Sequence, residues 1–96
     1  MPQNNKPALF LLGQIIATPG ALAALDKAGQ RPQEFLTRHV QGDWGDLSEA
    51  DRQENEFSLV RGFRLISSYQ TNAGDTVWVI TEADRSATSI LLPNEC

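Results

Sequence analysis

Phe63-Arg64-Leu65-Ile66-Ser67-Ser68-Tyr69-Gln70 and Thr76-Val77-Trp78-Val79-Ile80-Thr81 flank the segment Asn72-Ala73-Gly74-Asp75, and the reading of this stretch decides the fold. Two strand-forming runs joined by a few turn-forming residues are the signature of a β-hairpin. A polar turn from Glu82 to Ser86 then leads to a further strand, Thr88 to Leu92, which Pro93 ends. The C-terminal part therefore reads as a three-stranded antiparallel meander.

Working back from the meander, Gly62 stops a helix whose apolar positions are Ala50, Phe57 and Val60. Its start resembles a capping box, Ser48 with Asp51 three residues on in place of the usual Glu or Gln. Gly42-Asp43-Trp44-Gly45-Asp46 is a turn-rich link. The helix before it begins near Pro32, carries Phe35, Leu36 and Val40 on one face, and ends before Gly42. The first helix opens with a Thr18 cap and Pro19, buries Ala21, Leu22 and Leu25, and stops at Gly29. Leu9 to Ala17, with β-branched Ile15 and Ile16, reads as a strand. Helices segregated from strands predict an α+β fold: an N-terminal strand, three short helices, then the meander, with the helices packed on one face. Residues 1–8 read as a flexible start, 9–93 as one domain and 94–96 as a tail. The N-terminal strand either joins the sheet at an edge or stays a loose arm, and an exposed edge strand opens a route to a homodimer.

Ninety-six residues with 41% hydrophobic and 21% charged side chains fit one globular domain. The single cysteine, Cys96, excludes an internal disulfide and a Cys-based zinc site, which points to a reducing, cytoplasmic setting. No run approaches the roughly 20 apolar residues that span a membrane, and Ala8 to Leu12 is too short for a signal-peptide core. The net charge of −4 opposes general nucleic-acid affinity. That charge is uneven, since Asp43, Asp46, Glu49, Asp51, Glu54 and Glu56 face only Arg52 across 43–56. Such a surface either is a solvated helix face or meets a basic protein surface. With no phosphate-binding glycine loop, HExxH or nucleophile elbow, no cofactor is expected.

Several residues are candidates for a site. His39, the single histidine, stands near a helix C-terminus, where the dipole favours its charged form and where it suits acid–base chemistry. Asp43 and Asp46 flank Trp44 on a tight turn, but no third ligand is near, so no metal is expected. Trp44 reads as the plug that seats this turn, and Asp43, Trp44 and Asp46 are kept as binding candidates. Glu82, Asp84, Arg85 and Ser86 crowd a short turn where Arg85 either clamps an anion or neutralises its neighbours. Ser86 has no base beside it in the sequence, so a nucleophilic triad is not supported. Helices followed by an antiparallel sheet resemble the plan of small metal-independent ribonucleases such as barnase, the colicin nuclease domains and the RelE-type toxins. By position, that plan makes His39, Arg64 and Thr88 the catalytic candidates.

A second resemblance covers nearly the whole chain from about Leu9. Gly42-Asp43-Trp44-Gly45-Asp46, Trp78 to Ser86, Thr88 and Leu91-Leu92-Pro93, with Ala17 to Ala21 and Arg38-His39, resemble a family of small proteins from bacterial plasmids and other mobile elements. Its members are called plasmid-related proteins, some with a type I restriction subunit label, and the family brings no established chemistry. The resemblance implies an accessory protein of a mobile element. Two functions follow as expectations: binding another protein through the acidic third helix or the 82–86 turn, or cleaving RNA with His39. A third is inhibition of a nucleic-acid enzyme by negative charge in place of phosphates.

Overall fold

Leu65, Ser67 and Tyr69 are buried and alternate with the more open Ile66, Ser68 and Gln70, as in a strand with one fully covered face. The computed structural model describes residues 6–96. In it β2 (Leu65–Gln70) pairs antiparallel with β3 (Thr76–Thr81), and β3 pairs antiparallel with β4 (Ala87–Leu91). The meander does not stand alone. The first strand, β1 (Gln14–Ala17), adds outside β4 and runs parallel to it, giving a mixed four-stranded sheet of order β1-β4-β3-β2.

The N-terminal strand is shorter than the expected run from Leu9, and Gly13 sets its boundary. Its φ is +66°, and a Cβ there would lie 2.4 Å from the Ser86 carbonyl, an approach that only glycine permits. Upstream, the Leu9 N–H donates to the Val40 carbonyl at 2.8 Å and the Gln41 side chain donates to the Lys6 carbonyl. The chain before β1 is thus tied to the end of a helix. Residues 1–5 of the start read as flexible lie outside the described residues.

Helix α1 (Pro19–Ala28) begins where the Thr18 hydroxyl accepts from the Ala21 N–H at 3.1 Å, and it ends at left-handed Gly29. Glu95, in a short 3-10 turn at Pro93–Glu95, closes the same helix start. Its carboxylate accepts from the Thr18 hydroxyl at 2.5 Å, the Leu92 N–H at 2.8 Å and the Gly20 N–H at 3.2 Å. A negative charge here suits the helix dipole. α2 (Pro32–Val40) buries Phe35, Leu36 and His39. Together α1 and α2 cover one sheet face, where Ala21, Leu25, Phe35 and Leu36 meet Tyr69, Val77, Val79 and Ile90. Leu22, expected in the stripe of α1, is instead 48% exposed.

Helix α3 (Glu49–Arg61) corrects the expectation that all three helices share one face. Phe57 and Val60 are 49% and 83% exposed, and its buried residues are Asn55 and Ser58. The physical reason is the outer edge of β2, whose backbone groups need partners. The Asn55 amide donates to the Ile66 carbonyl at 2.5 Å, and its oxygen accepts from the Ile66 N–H at 3.2 Å. The α2–α3 link serves Ser68 in the same way: the Ser68 N–H donates to Trp44 and its carbonyl accepts from Asp46. Gly45, with φ +75°, lies so close that an added Cβ would stand 2.0 Å from the Ser68 oxygen. Gly45→Ala is expected to cost about 2–4 kcal/mol, lowering the melting temperature by roughly 10 °C or more. Gly74→Ala, where an added Cβ meets nothing within 4 Å, should lose less in the same melts.

Candidate functional site

Spacing of four from Phe35 and three from Leu36 turns His39 into the core, where it is 0% exposed. Both ring nitrogens are engaged: Nδ1 with Ser67 Oγ at 2.5 Å and Nε2 with Thr81 Oγ1 at 2.9 Å. Thr81 Oγ1 lies 2.7 Å from Thr88 Oγ1, and the Thr88 hydroxyl donates to the Leu12 carbonyl at 2.7 Å. One hydrogen per hydroxyl sets the direction of the run from Leu12 to Nε2. Thr88 spends its hydrogen on Leu12, so Thr81 donates to Thr88. Thr81 therefore accepts from Nε2–H, and because burial keeps the ring neutral, Nδ1 is left to accept from Ser67. This is a neutral imidazole in the Nε2–H form. The Phe10 ring meets the imidazole edge-on at 5.2 Å and Trp44 does so at 5.7 Å. Burial, with a smaller effect of the Arg85 guanidinium, lowers its pKa from 6.5 to about 4.

The three residues considered as catalytic are not brought together. Thr88 shares the buried network with His39 through Thr81. Arg64 instead lines a groove with Ile66 and Ser68, side chains of the opposite sheet face, and stands 3.7 Å from Glu82.

The 82–86 turn spends its charges on itself. Arg85 has a left-handed backbone, φ 62°, and its Nη1 donates to the carbonyls of Phe63, Glu82 and Ala83 at 2.8–3.1 Å. Its guanidinium also lies 5.6 Å from the Phe10 ring centre. Asp84 accepts from the Ser86 N–H at 3.0 Å, and bonds from Ser86 hold its pKa below the ordinary range. Glu82, Asp84, Arg85 and Ser86 thus shape the turn and join it to the Phe63 backbone and to Arg64.

The 43–46 turn divides its residues between two tasks. Asp43 takes a two-pronged ion pair from Arg38 at 2.7 and 3.3 Å, which lowers its pKa and raises that of Arg38. The Arg38 guanidinium also lies over the Tyr69 ring at 4.4 Å, while the Tyr69 hydroxyl donates to the Asp43 carbonyl. Trp44 is 2% exposed and donates its Nε1–H to Glu56 at 2.7 Å, as a plug must. Asp46 faces outward and joins a different set of residues.

That set is a groove of about 360 Å³ between the start of α3 and the sheet face not covered by α1 and α2. Asp46, Asp51 and Glu54 line its acidic side, Ile66, Ser68 and Trp78 its sheet side, and Arg64 completes it. Asp51 and Glu54 are three apart and so share one side of α3. The strand register sets Trp78 opposite Ser68 and Leu91, with Ile66 opposite Ile80. The sequence places the acidic residues, Arg64 and Ser68 as candidates for a site, but not Trp78 or Ile66. The signal was present: Trp78 lies between Val77 and Val79, and alternation sends it to the other face.

Among the described residues, no three His, Cys, Asp or Glu side chains are grouped to hold a metal ion. No described helix is long and apolar enough to cross a membrane. Comparison with protein-family models, curated proteins and solved structures gives no match to this chain.

The His39 environment generates a pH dependence. Between about 6.5 and about 4 the unfolded chain binds a proton that the folded chain refuses. Stability is therefore present above pH 6.5 and falls as pH drops through this window, by up to roughly 3 kcal/mol. Urea unfolding across that range should show the slope in the wild type and a flatter one in His39→Gln, whatever the variant's absolute stability.

Proposed function

We propose that this chain is a non-catalytic binding module, accessory to a mobile element, that takes a basic segment of another protein in the α3 groove. The observation that carries this reading is the pairing of three carboxylates, Asp46, Asp51 and Glu54, with the indole of Trp78 in one groove. Carboxylates draw in Lys or Arg, and an indole face suits a guanidinium or the apolar stem behind an ammonium. Arg64, already opposite Glu82, disfavours a second positive charge at its own wall and so gives the bound segment a direction. The resemblance to plasmid-related proteins supplies the setting, not the site.

The ribonuclease reading has less support. Its histidine is neutral, enclosed and bonded at both nitrogens, and the arginine assigned to it opens onto the other face. An acidic groove also repels a phosphate backbone.

The test is a titration with a short Lys- and Arg-rich peptide, followed by the indole N–H resonance of Trp78. Binding should shift that resonance, weaken with salt, and lose about tenfold or more in affinity in Asp51→Lys/Glu54→Lys, about 1.4 kcal/mol. Trp78→Ala should weaken it comparably without unfolding the chain, since Trp78 is only partly buried. Affinity unchanged by the charge reversals, or shifts confined to another surface, would contradict the proposal.

A further inference from the structure

The two edges of the sheet are treated in opposite ways. At β2, Asn55, Trp44 and Asp46 occupy the outward backbone groups of Ile66 and Ser68. At β1 the Gln14 N–H donates to Ser86 and the Thr18 N–H to Ile90, each at 3.0 Å. Alternation along a strand then directs the backbone groups of Ile15 and Ala17 away from β4. Among the described residues, none bonds to them. An open edge of this kind is a template for another strand, and proteins commonly guard it with Lys, Pro or a bulge. Here β1 is short, but it contains neither a charge nor a proline, and from Pro7 to Leu25 the sequence has no charged residue. Ile15 and Ile16, on opposite faces of the strand, are 43% and 45% exposed.

We infer that β1 is a homodimer interface, pairing antiparallel with β1 of a second copy about a two-fold axis. Three observations favour a second copy over a different partner. The strand itself carries no charge, so two copies of it meet without repulsion along its length. The acidic residues of 43–56 gather at the β2 side, the far end of the sheet order, so dimerisation keeps them apart. The β2 edge is sealed, so the association closes at two copies and does not grow into a filament.

The register follows from which groups point outward. Ile15 exchanges both backbone bonds with the partner's Ala17, and Ala17 does the same with the partner's Ile15. Ile16 then faces the partner's Ile16 at the close, non-hydrogen-bonded position, with Cα atoms about 4.5 Å apart. A two-fold axis normal to the sheet keeps the helix-covered faces on one side and both α3 grooves on the other. Four-residue strands bury less than a standard interface of about 1,200–2,000 Å², so the dimer exchanges with monomer and fills as concentration rises. This inference does not depend on what the grooves bind.

The experiment is sedimentation velocity over a concentration series up to millimolar, beside disulfide trapping. Wild type should pass from monomer to dimer. Ile15→Pro removes an N–H that the chain itself does not use, and Ile16→Lys places a charge at the two-fold axis. Each should weaken dimerisation at least about tenfold (about 1.4 kcal/mol) while circular dichroism melts remain cooperative. Ile16→Cys in a Cys96→Ser background should give a covalent dimer on mild oxidation, because the Cα separation lies within disulfide range; this arm needs no destabilised variant. Wild type that stays monomeric at millimolar concentration would overturn the inference. So would association that survives both edge variants but is lost in Val60→Lys, which would move the contact to the exposed Phe57 and Val60 of α3 and Phe63 just after it.

Discussion

A single buried imidazole sets the register of the whole structure. His39 hangs from α2 and bonds to Ser67 of β2 and Thr81 of β3, while Thr81 passes the chain to Thr88 of β4 and on to the Leu12 carbonyl. One thread of hydrogen bonds therefore crosses the meander and ends on the segment that leads into β1. Unpaired polar groups at this depth would each cost about 1–3 kcal/mol, and here every hydrogen has a place. Moving one strand by one residue would turn Ser67, Thr81 or Thr88 to the other face and break the thread. It also shows why β1 lies where it does: Thr88 holds Leu12, and Gly13 lets the backbone pass against Ser86.

The same commitment shapes the surface. With α1 and α2 over the face that contains the thread, α3 is left to the edge of β2, where it docks by two bonds from Asn55 and little apolar area. Its Asp51 and Glu54 stay outside and, with Asp46, rim a groove beside Trp78. Edge protection and groove formation are thus one arrangement. The opposite edge has no helix to spare, and β1 keeps its outward backbone groups bare of protein partners among the described residues.

What was legible in the sequence was local. The hairpin at Asn72–Asp75, the caps at Thr18 and Ser48 and the stops at Gly29 and Gly62 depend on neighbours within a few residues, and all are present. Trp44 reads as a plug because a large aromatic on a tight glycine-flanked turn has to be seated somewhere. The parallel pairing of Gln14 with Ala87 leaves no local trace, since its partner lies far along the chain. α3 misleads because Phe57 and Val60 have helical spacing, while the residue that docks the helix, Asn55, is polar and satisfies a strand edge. For the candidate site, charge was visible but register was not: the acidic run and Arg64 stand out, whereas their meeting with Trp78 needs β2 and β3 aligned. His39 reads as the border of a stripe because its partners, Ser67 and Thr81, and Thr88 behind Thr81 come from three separate strands.

His39 is a neutral structural node whose proton sits on Nε2. The direct measurement is the nitrogen-15 spectrum of the His39 side chain near pH 6.5 in the folded protein. One species is expected, with Nε2 protonated, Nδ1 bare and the ring proton slow to exchange with water. An imidazolium, or a proton on Nδ1, would contradict it and return His39 to the list of groups free to do chemistry.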